Sequence, residues 1–81
     1  MEILEVKKVI RSFVETNVFE HQDKIKDDTL IFREGYFDSM GFVSLISFIE
    51  NDFHIATLDE DIVEENFESI NAISHYVTSK L

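Results

Sequence analysis

The chain has 81 residues, 44% of them hydrophobic, which sets the expectation of one small domain over residues 1–81 with a modest core. Seventeen Asp and Glu against seven Lys and Arg give a net charge of −10, which repels phosphate backbones and anionic lipid, excludes nucleic acid and membrane as partners, and favours a basic protein. The absence of cysteine excludes disulfides and cysteine-ligated zinc.

The opening MEILEVKKVI has no basic segment leading into a long apolar stretch, so no signal peptide is expected, and no apolar run approaches a membrane span. A soluble, cytoplasmic, monomeric protein is the expectation. The charge is unevenly placed. Residues 1–33 carry seven acids and six bases, whereas residues 34–79 carry ten acids and neither Lys nor Arg. A whole half of the chain is therefore anionic on an apolar framework.

Ile3, Val6, Val9 or Ile10, Phe13 and Val14 recur at intervals of three and four, which predicts an amphipathic helix over about residues 2–17 with Asn17 as its stop. Residues 18–38 read as a long connection, polar from His21 to Thr29 and then pinned to the core by Leu30, Ile31, Phe32 and Phe37. Loops of this length are uncommon in compact domains and are often functional. Gly35 can supply a turn with positive φ.

A second helix starts at Asp38 or Ser39, Asp being a strong N-cap, and carries Phe42, Leu45, Ile46, Ile49 and Phe53 on one stripe. It ends near Phe53, before a short connection over His54 to Leu58. Thr57 or Asp59 is expected to cap a brief third helix, with Glu60 in capping-box spacing from Thr57 and with Ile62, Val63 and Phe67 as its apolar contacts. Ser69 caps a final helix whose stripe is Ile70, Ile73, Tyr76 and Val77. Strand-like alternation is not sustained, and internal repeats are absent. The expected fold is all-α: a small four-helix bundle of antiparallel neighbours, three longer helices and one short, with a long loop between the first two.

Little in the chain carries chemistry of its own. His21, His54 and His75 lie in three segments without metal-ligand spacing and read as surface or partly packed side chains. Asp59-Glu60-Asp61 opens like a calcium loop, but Glu64 stands where that loop needs Gly and Ile70 where it needs Glu, so no metal is expected. The serines have no partner histidine at a recognisable spacing, and there is no glycine-rich phosphate loop, so an enzyme is not expected.

One position stands out, Asp38-Ser39-Met40, where the long loop meets the most apolar helix. An Asp cap with Ser in the first turn is ordinary helix chemistry. A hydroxyl at that junction, however, faces solvent. A phosphate ester on it would meet free backbone N–H groups and the positive end of the helix dipole.

The segment Glu34-Gly35-Tyr36-Phe37-Asp38-Ser39-Met40, followed by a helix through Leu45, Ile46, Ile49, Glu50 and Phe53, resembles the acyl carrier and peptidyl carrier protein family. Asp59 to Asp61 before a short third helix and Phe67-Glu68-Ser69-Ile70 before the last extend the likeness, which covers Leu4 to Val77. The resemblance implies that Ser39 is the attachment point of 4′-phosphopantetheine, transferred from coenzyme A by a phosphopantetheinyl transferase. It implies that Asp38 helps to position the magnesium-bound donor. Met40, Val43 and Ser47 match exposed positions where partner enzymes dock, and Glu50, Asp59 and Glu60 match an acidic rim.

The arm would carry an acyl or aminoacyl thioester between enzymes with basic docking surfaces. In many fatty-acid carriers Gly lies three residues before the Ser and an acid stands early in the second helix. Here Gly35 lies four before, and Gly41, Phe42, Val43 and Ser44 follow. These departures favour a specialised biosynthetic pathway with a dedicated adenylating ligase. Gly41 inside a helix costs roughly 1 kcal/mol relative to Ala. Either close approach of the arm or an enzyme, or packing of loop on helix, explains it. The alternative to a carrier is an unmodified acidic helical adaptor that binds a basic partner.

Overall fold

The computed structural model describes residues 2–18 and 22–81. Helix α1 spans Ile3–Thr16, α2 Ser39–Phe53, the short α3 Glu64–Phe67 and α4 Ile70–Lys80. Tight 3-10 turns lie at Gln22–Lys24 and Asp59–Asp61, and no strand occurs among the described residues. The fold is the all-α four-helix arrangement that the apolar spacing predicts, with three longer helices and a long first connection.

Helix α1 buries Val6, Ile10 and Val14 completely, with Val9 and Phe13 half-buried beside them, so the stripe uses both candidates at its second turn. Asn17 ends the helix. Its backbone N–H and its side-chain amide both donate to the Phe13 carbonyl, at 3.1 and 2.9 Å.

The polar stretch after α1 is more tightly held than its composition suggests. Ile25 sits in the core at 2% exposure, and Val18 and Thr29 are also buried. Arg11 donates to the Ile25 carbonyl at 3.1 Å and pairs with the Asp27 carboxylate, which Lys7 also approaches at 3.8 Å. The Asp27 carbonyl accepts from Asn71 N–H of α4 at 2.9 Å. The segment is thus tied to α1 and α4 at once. His21 falls outside the described residues.

Ile31 anchors the second half of the loop. Its side chain is fully buried, its N–H donates to the Glu68 carbonyl at 3.0 Å, and its carbonyl accepts from Tyr36 at 2.9 Å and Phe37 at 3.0 Å. Gly35 takes the expected positive φ of 83°. Phe37 is buried, whereas Phe32 and Leu30 are only half-buried.

Asp38 caps α2: its Oδ1 accepts from Gly41 N–H at 2.9 Å. Leu45, Ile49 and Phe53 are buried, and Phe42 and Ile46 pack at the edge of the core. The helix stops at His54, which takes a left-handed conformation with φ 55°. Gly41 has a packing reason: a Cβ there would meet Phe37 Cδ2 at 2.8 Å and Cγ at 3.2 Å. Of its two explanations, the loop on the helix is therefore sufficient.

The third segment departs from expectation. Thr57 caps nothing; its N–H and hydroxyl both donate to Glu50 Oε2 at 3.0 and 2.7 Å. Asp59, the other expected cap, is instead the first residue of the 3-10 turn, and the expected helix is divided into that turn and the four-residue α3. The turn has Leu58 at its cap position and α3 has Val63, and neither makes a side-chain cap bond. Only Phe67 enters the core; Ile62 and Val63, expected there, are 40% and 44% exposed.

Ser69 caps α4 as expected, accepting from Ala72 N–H at 3.1 Å. Helix α4 buries Ile70, Ile73, Tyr76 and Val77 and packs along α1 and against α3. Rings run in edge-to-face and tilted contacts from Phe32 to Phe42 (5.7 Å), Phe42 to Phe67 (5.6 Å) and Phe67 to Tyr76 (5.0 Å). No described helix is long and apolar enough to cross a membrane.

Gly41→Ala gains roughly 1 kcal/mol of helix propensity but drives a methyl into a ring hemmed in by Phe13 and Phe32. Overpacking of a buried site costs about 1–3 kcal/mol, so the variant melts below the parent in thermal denaturation. Phe53→Ala, which empties a buried site, lowers stability by about 3–5 kcal/mol in urea titration.

Candidate functional site

Two local features put Ser39 at the surface. The Asp38 carboxylate satisfies Gly41 N–H and fixes the start of α2. Phe37, buried one residue earlier, pulls the incoming chain inward. Ser39, as the first helical residue, is left exposed. The N–H groups of Ser39 and Met40 belong to the opening turn and have no intrahelical acceptor. No acid lies in the first turn of α2 beyond the cap.

Beside Ser39 lies an open groove of about 540 Å³. Phe32, Phe37, Phe42 and Phe67 contribute its rings, Val43, Ile62 and Val63 further apolar surface, and Asp38, Ser39 and Glu64 its polar groups. Glu64 is bridged by Arg33 Nε at 3.0 Å, an exposed contact between the loop and α3.

The residues expected around Ser39 divide. Asp38 and Val43 join it on the groove, Val43 being 59% exposed. Met40, at 73% exposed, lies on the other flank of the helix start, in a smaller recess with Tyr36, Gly41 and Ser44. Ser47 is exposed one turn beyond Val43 on the same helical face, and Asp59 and Glu60 are exposed on the 3-10 turn. Glu50 is half-buried and commits Oε2 to Thr57, so it holds the connection after α2 against the helix as well as standing on the rim.

In the sequence Phe32, Phe37, Phe42 and Phe67 read as core residues and Glu64 only as a failed calcium-loop position; that they line a groove, and that Ile62 and Val63 are exposed beside it, is not foreseen there. The available signal was the setting of Ile62-Val63, a dipeptide between Asp59-Glu60-Asp61 and Glu64-Glu65. His54 and His75 are exposed. Among the described residues no cluster of three or more His, Cys, Asp or Glu is arranged to hold a metal ion.

Asp61 sits at the far end of the groove wall. It accepts from Tyr76 Oη at 3.1 Å and pairs with Lys80 Nζ at 2.8 Å. The Lys80 contact holds its carboxyl below the ordinary 3.8 against an upward push from burial, and the Tyr76 bond adds a lesser lowering. Burial, then the bond to Asp61, pushes the Tyr76 phenol up to about 12, so it stays a neutral donor near neutral pH. The Thr57 backbone N–H, then its hydroxyl, holds Glu50 below the ordinary 4.5.

No protein-family model matches the chain, and a comparison with curated proteins gives no match.

Both carboxyls have folded values below their unfolded ones. Their stabilisation is present above the ordinary carboxylate range and is lost as pH falls through the lowered folded values. Thermal melts over about pH 7 to pH 3 should therefore show an acid limb that is shallower in a Glu50→Gln, Asp61→Asn double variant, which is also less stable at neutral pH.

Proposed function

We propose that the chain is a carrier protein of the acyl or peptidyl carrier type, with 4′-phosphopantetheine attached to Ser39. The observation that carries this reading is an exposed hydroxyl on the first residue of α2, at the lip of an apolar groove. The site suits the group. A phosphodiester on Ser39 would face the unbonded N–H groups of the first turn, and no first-turn carboxylate stands against it. The thiol of the bound arm supplies a thioester linkage for an acyl or aminoacyl group.

Asp38 has two roles in this reading. It caps the helix through Oδ1, and its place beside Ser39 suits it to orient the donor during transfer. Met40, Val43 and Ser47 offer exposed contacts on either side of the arm, and Asp59 and Glu60 offer charge. That combination fits weak, fast docking on basic surfaces: a phosphopantetheinyl transferase, an adenylating acyl or aminoacyl ligase, and acyl-processing enzymes. A specialised biosynthetic role in the cytoplasm, as a monomer, completes the reading.

The test is intact mass after incubation with coenzyme A and a broad-specificity phosphopantetheinyl transferase. A gain of one phosphopantetheinyl group is expected, absent in Ser39→Ala. Because Ser39 is exposed, that variant keeps the parent's helical circular dichroism. No mass gain in the folded parent leaves the unmodified adaptor, with partner binding insensitive to Ser39→Ala.

A further inference from the structure

The outer wall of the groove is a short strap, Ile62-Val63, between the 3-10 turn and α3. Its own backbone bonds are local: Ile62 N–H donates to Asp59 at 3.1 Å, Val63 N–H to Asp61 at 2.9 Å and Asn66 N–H to Val63 at 3.1 Å. Its two side chains are 40% and 44% exposed, and neither adjoining short helix has a side-chain cap. Four-residue helices have little stability of their own. Asn66 Nδ2 also donates to the Asp61 carbonyl at 2.7 Å across the strap and Phe67 seats α3 in the core; the remaining side-chain contacts are at the strap's two ends.

At one end Asp61 takes a hydrogen bond from Tyr76 and an ion pair from Lys80, both on α4. At the other end Glu64 is bridged by Arg33 from the long loop. Arg33 is the last base before Lys80, so two of the chain's seven Lys and Arg are spent on this wall.

We infer that Asp61 and Arg33 are positioning residues that set the width of the Ser39 groove by tying its outer wall to α4 and to the loop. The inference concerns the groove of the proposed carrier site but rests on the geometry of its walls, whether or not Ser39 is modified. The two ties differ in character. The side chains of Asp61 and Lys80 are 20% and 31% exposed, those of Arg33 and Glu64 68% and 56%. The second tie is the more easily screened by salt and the weaker. An occupant can thus widen the groove from the Glu64 end by local release, with α1, α2 and α4 still packed.

Amide hydrogen exchange on the full chain tests this. Asp61→Ala should accelerate exchange at the bonded amides of Ile62, Val63 and Asn66 about tenfold, while Leu45 and Ile49 in α2 exchange as in the parent. Arg33→Gln should accelerate the same three amides by a smaller factor, with Arg33→Lys restoring most of the protection. About 1 M salt should reproduce the Arg33→Gln pattern in the parent. Unchanged exchange at the three amides in Asp61→Ala overturns the inference. So does acceleration shared equally with Leu45 and Ile49, which marks general destabilisation. The readout is independent of phosphopantetheine, so a chain that never accepts the arm still decides it.

Discussion

The geometry around Ser39 depends on the register of the long loop, and that register is set at Ile31. A buried aliphatic side chain alone would hold the loop near the core without fixing where along the chain it docks. The backbone of Ile31 adds direction: its N–H reaches Glu68 between α3 and α4, and its carbonyl gathers the N–H groups of Tyr36 and Phe37. Buried backbone groups without partners are costly, so this arrangement is specified well. It places the Phe37 ring under Gly41, which brings Asp38 to the cap and leaves Ser39 outside. A slip of one residue at Ile31 would lose all three.

The acidic excess has two parts. Some carboxylates are used inside the fold: Asp27 joins α1 to the loop, Glu50 holds the connection after α2, Asp61 joins the second turn to α4 and Glu64 joins α3 to the loop. Others, such as Asp59 and Glu60, stand on the surface. The first group makes contacts that a wholly solvated anionic face would lack. The second adds negative surface charge, which bears on solubility and association more than on the fold.

The sequence made the long helices legible because each buries one side. The stripes of α1, α2 and α4 recur at three and four, and Asp38 and Ser69 are caps whose chemistry is local. The third segment was not legible by the same means. Thr57 and Asp59 both read as caps there, whereas Thr57 bonds to Glu50, seven residues back, a contact that depends on tertiary approach. Ile25 was hidden among charges, of which Asp27 turns out to be paired with α1 while its carbonyl is held by α4. The exposure of Ser39 followed from its position at a helix start. The groove beside it did not, since its walls come from the loop, α2 and the segment before α4, which no periodicity brings together.

The ring contacts give the chain an optical property. It has no tryptophan and two tyrosines, and they occupy different places: Tyr36 in the turn that follows Ile31, half-buried, and Tyr76 buried with its hydroxyl on Asp61. Ultraviolet absorption and emission near the phenol bands therefore report on these two sites alone, without an added fluorophore. Replacing Tyr36 by Phe would leave a single native phenol, Tyr76, beside the groove wall.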